Sequence, residues 1–329
     1  MNRGVRMLKE EMKTINIKRI CIIGIVLSVL ILTPLLAKST YITHLFIAAL
    51  MFAIWAMGFD ISAGYLGILN FGFAGFIGLG AYTAGLMTLR LGVSPWISML
   101  LGGIVALIAG SVVGVLTLRF RSKIIVAMFT WFFALTLQEI CYAWIEVTGG
   151  IRGLITPPLP SIELPHLVID FATRTERIPY YYLILVMFLL LFIALNFIVK
   201  SKVGLIFRAI REDEIAAEMT GVDTVRYKVL NMAISSFIAG LVGGFYCFYI
   251  GVIAPDLFST EYTVQILTMT YVGGRGTLWG PVAASFLLVF LLELLRPLVI
   301  LRWVFYGVLL IMVMIFFPKG ISVIKEYIW

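Results

Sequence analysis

The sequence predicts an all-α polytopic membrane protein, and three observations carry that prediction. Of its 329 residues, 62% are hydrophobic and 13% charged, about half the charged share of ordinary soluble domains, and the mean hydropathy is +1.07. Apolar runs long enough to cross a hydrocarbon core of about 30 Å recur along the whole length. Only one dense block of paired charges, residues 200–221, interrupts them.

The net charge of +8 would suggest nucleic acid in a soluble protein. Here the positive residues sit in short connections between apolar runs, where the positive-inside rule accounts for them. No nucleic-acid partner is expected. Cys21, Cys141 and Cys247 all lie inside apolar runs. They are too few and too scattered for a disulfide framework and read as small core hydrophobes.

Residues 1–19 form a basic tail before the first span, 20–37, which Lys38 stops. The basic region is long and no A-x-A-like site follows the run, so an uncleaved span with a cytoplasmic start is read in place of a signal peptide. The second span, 42–59, ends at Asp60. A Gly-rich third span covers 65–89. The fourth, 95–118, follows Ser94-Pro95, where proline suits a first helical turn. Arg119, Arg121 and Lys123 make a tight basic turn before the fifth span, 124–147.

A polar, Pro-rich connection, 148–179, leads to the sixth span, 180–199, and then to the polar island. The seventh span, 227–253, starts after Asp223, a plausible N-cap. A short apolar piece at 261–272, a Gly-rich break and spans at 277–295 and 302–317 complete the chain, with a tail at 321–329.

The N-terminus, the 119–123 turn, the island and the tail with Lys319 and Lys325 are all basic, which puts them on the cytoplasmic side. Parity then requires the short piece at 261–272 to count as a crossing. It would act as a half-helix continued by the non-helical Gly273-Gly274-Arg275-Gly276, tolerated because it is buried in protein. That gives ten spans and one transmembrane domain over 20–320. A re-entrant loop with nine spans is the alternative. With ten, the second five enter the membrane in the opposite sense to the first, the arithmetic of an inverted repeat.

The segment Gly64–Gly85 is dense in glycine, which costs helix stability in water but permits close helix approach in a membrane, with Gly64/Gly72/Gly80 and Ala81/Gly85 at suitable spacing. It reads either as plain packing or as a broken helix lining a translocation path, with Asn70 as the polar contact. The second break, Gly273-Gly274-Arg275-Gly276-Thr277-Leu278-Trp279-Gly280-Pro281, lacks the Gly-Lys-Ser/Thr ending of a nucleotide loop. No such ending occurs elsewhere, so ATP hydrolysis by that route is excluded.

Gln138 and Glu139 lie about two-thirds along the fifth span. An intramembrane carboxylate is a functional candidate; a carboxylate near the outer interface holding helices together is the plainer alternative. Glu293 is more clearly interfacial, with Arg296 three residues on as a partner. His44 and His166 stand alone, and no metal cluster or catalytic arrangement can be assembled from them. An enzyme is not expected.

Within the island, one helix over 203–220 would place Arg208 and Arg211 ahead of Glu214 and Glu218, against the macrodipole. Two short helices fit better, the first ending in its cations and the second opening with Glu212, Asp213 and Glu214, with a break near Arg211-Glu212. Gly221 supplies the stop. Leu205, Ile206, Ile215 and Met219 give each piece a narrow apolar edge. A solvated linker remains the plain alternative.

These island residues, from Arg208-Ala209-Ile210-Arg211-Glu212-Asp213-Glu214 through Ala217 to Gly221, resemble the cytoplasmic loop of branched-chain amino acid ABC importer permeases of the LivM type. Gly273-Gly274-x-Gly276-Thr277-x-x-Gly280-Pro281 is similar to that family's second hallmark. Gly78-x-Gly80-Ala81-Tyr82, Glu139-Ile140 and Thr148-Gly149-Gly150 also match, and the likeness covers about residues 45–320. Phe73, where a polar residue is more usual, and Arg152 after Gly149-Gly150 depart from the pattern and bear on substrate identity.

The resemblance implies a fold like that of the vitamin-B12 importer, with inverted five-helix repeats in a bacterial or archaeal inner membrane. It implies four kinds of partner: a second, LivH-like permease, two ATPase subunits that use the ATP, an extracytoplasmic substrate-binding protein, and membrane lipid. No cofactor is expected on this chain. Residues 203–221 would be the coupling helices, with Arg208, Ala209, Ile210, Arg211, Glu212, Asp213, Glu214, Ala217 and Gly221 coupling to the ATPase. Asn70, Phe71, Gly72, Gly75, Tyr82, Glu139, Gly273, Gly274 and Gly276 would bound the translocation path. Branched-chain amino acids are the expected substrate, with other amino acids, amides or urea open. An ion-coupled secondary transporter is the alternative, and it would need mid-membrane ionisable groups of which only Glu139 is a candidate.

Overall fold

The computed structural model describes residues 28, 30–34, 39–120, 122–164, 167–171, 177–298, 301–316 and 320. The tails 1–19 and 321–329, most of the first span, Cys21, Arg121 and His166 lie outside the described residues. The described chain is helical almost throughout. Among the described residues five helices are long and apolar enough to cross a membrane, and two shorter apolar helices follow them.

Helix α1, Thr40–Asp60, continues through a π-helical turn, Ile61–Leu66. It is apolar all round, and from Ala49 to Leu66 every residue but Phe52 is buried, as an all-apolar helix at the centre of a bundle must be. The expected third span is thus divided. The π turn ends at Gly67 with φ +77°, the chain runs non-helically to Gly72, and α2 spans only Phe73–Leu91. Helix α3, Pro95–Thr117, starts at its proline, and α4 covers Lys123–Ala143.

Beyond a short α5 (Ile145–Thr148), two small sheets form in the expected polar connection. Strand β1 (Leu154–Ile155) pairs antiparallel with β4 (Val252–Ile253), and β2 (Ile162–Leu164) pairs with β3 (Leu167–Ile169). In the Thr148-Gly149-Gly150 motif, the Thr148 hydroxyl donates to the carbonyls of Cys141 (2.6 Å) and Trp144 (2.8 Å), closing the end of α4.

Helix α6 spans Ile178–Lys200. The island then folds as α7, Lys202–Glu212, and α8, Glu214–Met219, and α9 runs over Thr224–Ile250. Asp223 caps α9 as expected, accepting from the Arg226 N–H at 3.1 Å. The short piece at 261–272 is a real helix, α10, Thr260–Gly273, with α11 at Trp279–Leu294 and α12 at Leu301–Phe316.

One expectation is corrected here. The chain that lengthens α10 precedes it, at 251–259 with a 3-10 turn at Pro255–Phe258, as well as following it at 274–278. The earlier stretch dips into the bundle, where Phe258 packs against Gly78 and Tyr82 and the Ala74 N–H donates to the Thr263 hydroxyl at 3.1 Å. Gly251, Ile253, Pro255, Leu257 and Phe258 are buried. Irregular backbone is tolerated there because protein surrounds it.

Beside α1, helices α2, α3 and α9 meet in a three-helix contact made through glycine. A Cβ on Gly80 would meet the Gly240 carbonyl oxygen at 2.2 Å, and one on Gly102 would meet that of Gly80 at 2.5 Å. Backbones approach this closely only where no side chain intervenes. The packing reading of the glycine pattern therefore holds for the later half of the segment, and at its start the helix is broken.

Helix ends sort into two groups. The end of α1 meets the start of α9, where Asn231 and Ser235 donate to the Ile61 and Gly58 carbonyls, both at 2.8 Å. Gly114 of α3 packs on Val229 of α9, and Gly320 lies against Gly274. The start of α1 meets the opposite ends: Tyr41 bonds Glu293, His44 lies 2.6 Å from the Tyr249 hydroxyl, and the Arg296–Glu293 pair closes at 3.0 Å.

Candidate functional site

Three stretches singled out by the sequence meet at one place: the Gly-rich break, the island and the Gly273–Gly276 loop. The π turn is their hub. In a π turn one extra residue is inserted into the helical ladder, and such turns often mark functional positions. Here Arg211 Nη1 donates to the Gly64 carbonyl within the turn at 2.6 Å.

The island is seated on this turn by its own sequence. Ser201 opens α7, its hydroxyl accepting from the Val203 N–H at 3.2 Å. Gly204, Phe207 and Ile210, spaced three apart, fall on one face and are buried. Arg208 and Arg211, also three apart, both reach the π turn: Arg208 lies over the Tyr65 ring at 5.3 Å, and Arg211 takes Gly64.

The break between the two helices comes at Asp213, one to two residues later than expected. Glu212 completes α7, and Asp213, with extended φ −153° and ψ 111°, is the N-cap of α8. Its carboxylate accepts from the N–H of Ile215 (2.9 Å) and Ala216 (3.1 Å). Glu214 pairs with Lys228, and Glu218 accepts from the Thr224 hydroxyl at 2.6 Å. These bonds tether α8 to the start of α9. Gly221, φ +84°, ends the island as expected.

Of the expected coupling residues, Arg208, Ala209, Glu212, Asp213 and Gly221 are exposed. Glu214 is half-buried, while Ile210 and Ala217 are buried beneath them. Arg211 is turned inward. The island's apolar edge is open: Leu205 is 68% exposed, Ile215 70% and Met219 85%.

Sequence reasoning passed over the residue at the centre. Asp60 was read as the end of a span, yet it is fully buried. Its Oδ1 accepts from the Gly276 N–H at 2.7 Å. A Cβ on Gly64 would lie 1.9 Å from that oxygen and 2.3 Å from the Gly276 nitrogen. Gly276 itself stands at φ +78°, a conformation that glycine adopts without strain. Of the other loop residues, Gly273 packs on Gly280, Thr277 donates to the Gly274 carbonyl at 2.6 Å, and Arg275 lies over the Tyr271 ring.

The expected path residues divide. Asn70 is buried and ties the break together, its Oδ1 accepting from the Gly72 N–H at 3.1 Å and its Nδ2 lying 3.4 Å from the Met232 sulfur. Gly72 and Gly75 abut Thr130 and Ala134 of α4, and Tyr82 is buried. Phe71 is half-buried, and Glu139 is exposed on the outer face of α4. Among the described residues no group of three or more His, Cys, Asp or Glu side chains could hold a metal.

A family model described as branched-chain amino acid transport system / permease component matches residues 41–317. The high-affinity branched-chain amino acid transport system permease protein LivM of Salmonella typhimurium is 27% identical over 83% of this chain and 68% of its own length. The Escherichia coli protein of the same name is 27% identical over the same shares. A probable branched-chain amino acid transport permease protein LivM of Methanocaldococcus jannaschii is 23% identical over 55% of each chain. No solved structure gives a significant match.

Proposed function

Since the chain belongs to the branched-chain amino acid transport permease family, we propose that it is one permease subunit of an ATP-driven importer of branched-chain or chemically similar amino acids. It crosses the cytoplasmic membrane ten times with both ends inside, in a fold of inverted five-helix repeats like that of the vitamin-B12 importer. A second permease completes the path, an extracytoplasmic protein delivers substrate, and two ATPase subunits act on the island. The chain itself holds no nucleotide.

The observation that carries this reading is the island's open edge. Leu205, Ile215 and Met219 project from two short helices whose opposite faces are anchored by Phe207, Ile210 and Ala217. Apolar side chains so exposed, amid Arg208, Glu212 and Glu218, fit a protein partner with a small apolar centre and a charged rim. On this reading α4, with Glu139, and the break before α2, with Phe71, present the wall of the path. Asn70, Gly72, Gly75 and Tyr82 hold that wall in place from behind.

The test is co-purification of the ATPase subunit with the permease after Leu205→Glu or Met219→Glu. Both side chains are exposed, so the fold is kept. Each charge buried at the contact should weaken docking about tenfold or more. Docking at wild-type strength in both variants would sink the assignment.

A further inference from the structure

We propose that Arg211 and Asp60 form an internal relay that joins the island to both broken segments of the bundle, so that Arg211 is a positioning residue and not a docking contact. This rests on the reading of the island as the ATPase-docking element. Arg211 is the only expected coupling cation whose guanidinium is committed in two directions. Nη1 holds the Gly64 carbonyl at 2.6 Å, and Nη2 holds Glu212 Oε1 at 2.9 Å. Glu212 is 74% exposed against 35% for Arg211. A partner that engages Glu212 therefore competes for the outer half of Arg211 while the inner half grips the π turn.

Behind Gly64 the connection continues without slack. Asp60 and Gly276 are hydrogen-bonded at 2.7 Å across the space a Gly64 Cβ would fill. On Gly67, at φ +77°, a Cβ would stand 2.7 Å from Arg211 Cγ. A displacement of α7 pulls on Gly64, and the π turn cannot shift without moving the Asp60–Gly276 bond. Packed interfaces of this kind switch between arrangements and do not deform continuously. Segments near residues 60, 211 and 276 thus move as one unit, and that unit contains the hinges of the α1–α2 break and the α10–α11 break.

The complete complex, reconstituted in liposomes with substrate-loaded binding protein, distinguishes a relay from a docking contact. With Arg211→Ala the ATPase should co-purify as in wild type. Uptake should fall about tenfold or more, as when a buried hydrogen bond to a charge is lost, and ATP hydrolysis should persist but no longer rise with loaded binding protein. Arg211→Lys keeps the charge without the planar fork and should show the same split more mildly; it decides the matter if the alanine variant does not fold. Asp60→Ala, which removes the acceptor of the Gly276 N–H, should uncouple likewise. Loss of the ATPase from the Arg211 variants would overturn the relay, as would uptake and hydrolysis falling in proportion. A wild-type complex that never assembles with an ATPase would instead overturn the functional reading itself.

Discussion

Gly64 is the residue on which the site's geometry is most sharply tested. Its missing side chain leaves room for the Asp60–Gly276 bond, so Gly64→Ala forces a Cβ to within 1.9 Å of a carboxylate oxygen. Overpacking of this kind costs about 1–3 kcal/mol, and loss of the buried bond adds to it. Gly92 is a useful contrast, since it has φ +65° but nothing within 4 Å of its Cβ. Gly92→Ala should cost only about 1–2 kcal/mol of backbone strain. Thermal unfolding of the two purified variants should show the larger loss for Gly64→Ala; the reverse order would contradict the packing described here. Gly64 was visible in the sequence as part of a glycine pattern, but its true partner was not. Asp60 looked like an interfacial residue ending a span. The signal against that was the run Ile61–Leu66 beyond it, apolar enough to carry the same helix on and bury the carboxylate.

At the scale of elements, the division of the island into two helices follows from charge order alone. A carboxylate-rich start is favoured at a helix N-terminus. The position of the break was displaced because three acidic residues, Glu212, Asp213 and Glu214, compete for it. Asp wins because its short side chain reaches the N–H groups two and three residues on, which Glu at that place does not do as well. Asp213→Ala should therefore cost α8 about 1 kcal/mol. A six-residue helix has little cooperativity to absorb that loss. Hydrogen exchange of the Ile215 and Ala216 amides should accelerate several-fold in the variant while α7 keeps its protection, and unchanged exchange would remove the cap from the account. The two breaks flanking α10 were less legible. Glycine marked the later one, whereas the dip at Gly251–Ser259 depends on Phe258 finding a glycine in α2, a long-range fit that no local pattern reports.

For the whole molecule, what the sequence foretold best was the succession of long apolar helices, because each apolar run carries its own length. What it foretold least was depth, since an apolar run looks the same whether lipid or protein surrounds it. The described helix ends put the island, the Gly273–Gly276 loop and Gly320 at one end, with β1 and the start of α1 at the other. If the proposed orientation holds, Met219 and Arg275 face the cytoplasm and Ile155 faces outward. All three are exposed. The native Cys141 and Cys247 are buried, and Cys21 is replaced by serine for the experiment. In intact cells a membrane-impermeant maleimide should label Ile155→Cys alone. In inside-out vesicles it should label Met219→Cys and Arg275→Cys. Labelling of Arg275→Cys in intact cells would mean that α10 turns back without crossing. The count would then fall to nine spans, and the inverted repeat would fail with it. Labelling from the inner side, together with Met219, requires α10 and its buried approach to cross as one unit, because only then can the loop that bonds Asp60 share a face with the island that grips Gly64.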